Sequence, residues 1–123
     1  MSRTAEEWGR IAVSLPGWRW MPGMLDTAGD RLGEVTLHDG VRAVTAPPWW
    51  TYGWRERLPD PDDPATAGCL LALAGAPHRL LPTVEAWISG APVEGITSLG
   101  RAVIADVRDQ WGRWPNGGRM VAE

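Results

Sequence analysis

The stretch from Leu58 to Gly75, LPDPDDPATAGCLLALAG, constrains this chain more than any other, because a start signal, a stop signal and an apolar body fall in one run. Asp63 reads as an N-cap, and Pro64 fits the first helical turn, where its missing N–H costs nothing. Asp60, Asp62 and Asp63 sit near the positive end of the helix dipole. Gly75 stops the helix. Ala67, Cys69, Leu70, Leu71, Leu73 and Ala74 make the body apolar enough to be packed on most sides, so the pattern predicts a central helix over 64–74.

The 123 residues are expected to form one domain, 1–123, with a single core. A net charge of −3 and a pI near 5.3 argue against a broad basic field that would hold duplex nucleic acid. The 12 basic residues are all arginine, Phe is absent and Trp occurs 9 times. A GC-rich genome accounts for much of the Arg, Ala, Gly and Pro, but less well for the Trp. One cysteine excludes an intrachain disulfide framework, as in a reducing cytoplasm. No apolar run reaches the roughly 20 residues that span a bilayer, and the N-terminus lacks a signal-peptide pattern. The expected location is cytoplasmic, away from membranes.

In chain order, Thr4 and Glu7 form a capping-box pattern, and Trp8, Ile11, Ala12 and Leu15 fall on one helical face. Trp18 and Trp20 then alternate with Arg19 and Met21, which reads as a strand broken at Pro22-Gly23. Asp26 to Asp30 is a turn. Residues 33–46 read as a hairpin closed by Asp39-Gly40, with Val35 opposite Val44 and Leu37 opposite Arg42. Pro47 to Pro59 is an irregular, ring-rich loop. Val84, Ala86 and Ile88 alternate with Glu85 and Trp87, which suits a fourth strand over 83–89. Thr97 or Ser98 caps a last helix with Leu99, Val103, Val107 and Trp111 as its buried stripe and Arg101, Arg108 and Asp109 facing water. The tail from Trp114 is expected to fray. The resulting expectation is an α+β fold: an antiparallel sheet of three or four strands against about three helices, near 4–15, 64–74 and 98–111.

Catalytic patterns are sparse. There is no phosphate loop ending in Lys, and no nucleophile elbow surrounds a serine. His38, His78 and Cys69 lack metal-ligand spacing, so no metal, cofactor or catalytic set is assigned. Capping accounts for Asp60, Asp62 and Asp63 better than a cation site or an acid/base pair does.

The positive signal is tryptophan with arginine. Trp8 and Trp111 lie on helix stripes and read as core. Trp18 and Trp20 share one face and suit either core or a pocket wall. Trp49, Trp50, Tyr52 and Trp54, followed by Arg55 and Arg57, are too many rings for a short loop to hide. Three readings stay open for them: a protein interface, a site where rings stack on a base and Arg forks a phosphate, or an outer layer folded over the sheet. Arg19 and Arg42 are further candidate cations beside the same region.

The motifs WRWMPGM at 18–24 and LPDPDDPATAGCLLAL at 58–73, with a late TSLG helix start and Trp111-Gly112, resemble small uncharacterised proteins encoded by bacteriophages and prophages of GC-rich hosts. That resemblance implies a phage accessory protein in the bacterial cytoplasm, and such proteins often oppose host defence. Together these features favour non-catalytic capture of a small anionic, nucleotide-like ligand, a sponge for an immune signal. Direct inhibition of a host defence protein is the alternative, and an enzyme is a distant third. Self-association is expected from the sheet's exposed edges.

Overall fold

The computed structural model describes residues 3–31, 35–38, 41–44, 57–91 and 93–117. Among these residues the elements run α1 (Ala5–Ser14), β1 (Val35–His38), β2 (Val41–Val44), α2 (Pro64–Ala74), α3 (Pro82–Ile88) and α4 (Leu99–Gln110). The described fold is mainly helical, which overturns the expected α+β sheet of three or four strands. Its sheet has two strands, β1 and β2, paired antiparallel with Val35 opposite Val44 and Leu37 opposite Arg42.

Both other expected strands fail for identifiable reasons. The segment expected as a strand over 83–89 is instead helical over 82–88, because Pro82 supplies a first-turn residue and a carboxylate from another helix supplies the cap. Asp106 Oδ1 accepts from the Thr83 N–H at 3.0 Å, and Oδ2 accepts from the Val84 N–H at 3.0 Å. The local alternation of Val84, Ala86 and Ile88 therefore loses to a tertiary cap. Residues 18–24 form no ladder, since the chain turns at Pro22-Gly23 and the Met24 N–H bonds the Met21 carbonyl at 3.2 Å. Trp20 and Met24 still reach the core from this irregular segment.

The three helices with local start signals form as expected. Thr4 and Glu7 complete the capping box of α1, Asp63 accepts from the Thr66 N–H, and Ser98 accepts from the Arg101 N–H. Gly75 ends α2 in the left-handed region at φ 85°, a conformation that favours glycine.

The centre of the molecule is α4, on which α1, α2 and α3 all pack. Every residue from Gly100 to Val107 is buried. Gly100 is required by proximity, because a Cβ there would overlap the Pro61 carbonyl. The tail does not fray where the structure describes it. Trp114 is fully buried, its indole N–H bonds the Ala12 carbonyl at 2.8 Å, and the Asn116 N–H bonds the Leu73 carbonyl at 2.9 Å. One large ring thus ties the end of the chain to α1 and α2.

Leu70 is fully buried in the core cluster, and truncating it removes packed apolar volume. Leu70→Ala is expected to cost about 2–5 kcal/mol in denaturant unfolding. A loss no larger than that of an exposed Ala72→Gly control would show that α2 is peripheral.

Candidate functional site

Two arginines and one tryptophan come together beside α4, although none of the three was singled out for binding by the sequence. Trp8 projects from α1 and is 3% exposed. The Arg3 guanidinium carbon lies 5.5 Å from its ring centroid, and that of Arg108, on α4, lies 5.7 Å from it. Both distances fall within the range in which a cation is drawn to an aromatic ring. A cavity of about 310 Å³ opens here, with Arg3, Trp8, Arg108, Thr83, Glu94 and Asp109 among its lining residues. Val93, Ile96 and Ala105 give it an apolar wall.

The polar groups of this cavity are not equivalent. Arg108 already forks onto the neighbouring Asp109 carboxylate, at 2.9 and 3.5 Å. Among the described residues, Arg3 pairs with no carboxylate and Glu94 with no cation. The buried Trp8 indole N–H has no acceptor among them either. A buried donor left without a partner is costly, so an acceptor oxygen brought to it is favoured. Trp18 carries a second such N–H, away from this cavity. Two other hollows, of about 340 and 400 Å³ along α1, are lined by no fully buried residue.

Arg3 is held in place by Arg101, which the sequence placed in water but the structure buries at 8% exposure. Its Nε and Nη2 each donate to Asp62 at 2.9 Å, and its Nη1 donates to the Arg3 carbonyl at 2.8 Å. Arg101 and Arg108 lie about two turns apart on α4, so one helix face both fixes the N-terminal segment and supplies a cation to the cavity. No local pattern of rings and arginines marks this group in the sequence, because residues 3, 8, 94 and 108 meet only through packing.

The residues expected from the sequence to bind ligand fall into four groups. Trp20 is buried and Trp18 half-buried, with their rings edge to face at 5.6 Å, and Trp18 also meets Trp114 at 5.7 Å. Arg19 beside them is half-buried. Arg57 bonds Asp26 at 3.3 Å and Asp30 at 3.5 Å, where the fully buried Asp26 also accepts from the Ala28 and Asp30 N–H groups. Arg42 lies in β2. Trp49, Trp50, Tyr52, Trp54 and Arg55 lie outside the described residues. The structure therefore brings Trp18 to Trp20 but brings neither into the Trp8 cavity.

Cys69 is half-buried with its thiol pushed up by burial, and its Sγ sits 3.5 Å from the Pro22 carbonyl. Among the described residues no group of three or more His, Cys, Asp or Glu could hold a metal ion, and no helix is long and apolar enough to cross a membrane. No known family, curated protein or solved structure matches this chain.

The Arg101 guanidinium holds the Asp62 carboxyl below the usual carboxylate range, and Arg31 does the same for Asp63. Burial pushes Asp60 the other way. A carboxyl lowered in the folded state contributes stability above its unfolded value, near 3.9, and loses it as pH falls through the folded value. Acid unfolding is therefore expected to steepen below about pH 4. Arg101→Gln should flatten that limb by removing the larger cause at Asp62. An unchanged acid profile in the variant would show that the clamp contributes nothing to stability.

Proposed function

We propose that this protein is a non-catalytic binding protein that captures a small anionic, nucleotide-like ligand at the Arg3, Trp8 and Arg108 cavity. The observation that carries the reading is the gathering of two guanidinium groups over one buried tryptophan whose indole N–H has no acceptor among the described residues. Guanidinium groups fork phosphate oxygens, and a planar cation resting on an aromatic ring presents a flat face to a base. The resemblance of the 18–24 and 58–73 motifs to phage proteins supports a setting in the bacterial cytoplasm, where such capture withdraws an immune signal from its host receptor.

A specific observation favours the alternative of direct inhibition of a host protein. Leu80, Trp87 and Ile88 are 66%, 36% and 72% exposed, the last two on α3. Large apolar side chains turned to water mark interaction surfaces, and a second copy of this chain is a further candidate to cover them.

A thermal-shift panel of nucleotides separates the two readings. A ligand at a hundred times its dissociation constant adds about 2.7 kcal/mol to the folded state, and it should be recovered chemically unchanged. Arg3→Ala should remove most of the shift, whereas Ile88→Glu should leave it intact. No shift with any nucleotide, together with loss of a defined host-protein complex on Ile88→Glu, would transfer the function to the α3 surface.

A further inference from the structure

The cavity carries a second, opposite piece of chemistry besides its cations. Glu94 lines it from the segment between α3 and α4, is exposed, and has no cation partner among the described residues. The carboxylate of Asp109 is already occupied by Arg108. The lining thus includes a carboxylate with no cation partner among the described residues, Glu94, and a guanidinium with no carboxylate in ion-pair distance, Arg3, together with the apolar side chains of Val93, Ile96 and Ala105. A ligand that satisfies all three has a flat apolar body, an anionic end and a donor-bearing edge.

The volume narrows the class further. At about 310 Å³ the cavity lies at the low end of the range for small-ligand pockets, roughly 300–1,000 Å³. That suits one nucleotide and is cramped for a cyclic dinucleotide or an oligonucleotide. The edge chemistry then discriminates among bases. A carboxylate is an acceptor with two adjacent oxygens. Guanine presents two adjacent donors, N1–H and the N2 amino group. Adenine and cytosine present one donor beside an acceptor, and uracil presents one donor between two acceptors. Only guanine meets a carboxylate with two hydrogen bonds and no facing lone pair.

We infer that the site takes a guanine mononucleotide, with the Glu94 carboxylate receiving the N1–H and N2 amino edge and Arg3 receiving the phosphate. The inference rests on the reading that this cavity binds a nucleotide. Arg101 is a positioning residue in it, acting through its bond to the Arg3 carbonyl.

Calorimetric titration of the full chain with GMP, IMP, AMP, CMP and UMP tests the assignment. GMP is expected to bind about tenfold or more tighter than the others, the scale of losing a hydrogen bond to a charged group. IMP, which keeps N1–H and lacks the amino group, should bind more weakly than GMP on the wild-type protein, a comparison that needs no variant. Glu94→Gln places an amide donor and acceptor at the edge, which matches adenine, and should erase or invert the preference for GMP over AMP. Equal affinities for GMP, IMP and AMP, or a preference unchanged by Glu94→Gln, would overturn the guanine assignment while leaving nucleotide capture standing. Failure of all five to bind would overturn both.

Discussion

A buried guanidinium sets the terms for the rest of this molecule. Arg101 sits in the most enclosed stretch of α4, and a charge taken out of water there is tolerated only if its donors are met. Asp62 meets two of them, and the Arg3 carbonyl meets a third. The loop before α2 and the residue before the α1 cap are thereby fixed to the same helix. Removing one partner would leave the other charge uncompensated, so the three segments are joined as one unit. The position of Arg3 over Trp8, and with it the geometry of the cavity, follows from that unit.

Carboxylates do most of the remaining joining, each in a different way. Asp63 caps α2 and also holds Arg31 at 3.0 Å. Asp26 closes its own turn and receives Arg57. Asp106 reaches from α4 to the start of α3 and replaces a cap that the chain around Leu81 does not provide. Of the three carboxylates read from the sequence as helix caps, only Asp63 caps α2; Asp62 is taken by Arg101, and Asp60 accepts from the Asp62 N–H. Among the described residues Arg3 pairs with no carboxylate and lies at the cavity, over the Trp8 ring.

Tryptophan in this chain serves more than one purpose. Trp114 is a fastener, with its ring fully buried and its N–H bonded to Ala12. Trp20 is core, and Trp18 bridges Trp20 and Trp114. Trp8 is buried like a core residue yet carries two cations and an unmet donor. Position on a helix stripe does not distinguish these cases, because stripe membership reports burial and not what the ring edge meets.

The sequence by itself determined the features that depend on neighbours a few residues away. These are the caps and ends of α1, α2 and α4, the Val35 to Val44 pairing, and the apolar body of α2. Capping and turn chemistry are completed within one turn of chain, so they are readable locally. The tertiary structure alone decided that 82–88 is a helix, since its cap comes from Asp106 across the core. It also decided that α4 is the centre, that Arg101 is inside, and that Trp114 is anchored. The candidate site belongs to this second class. Arg3, Trp8, Glu94 and Arg108 are each unremarkable where they stand in the chain, and only the packing of α1 and the 93–96 segment against α4 brings their charges and rings to one cavity.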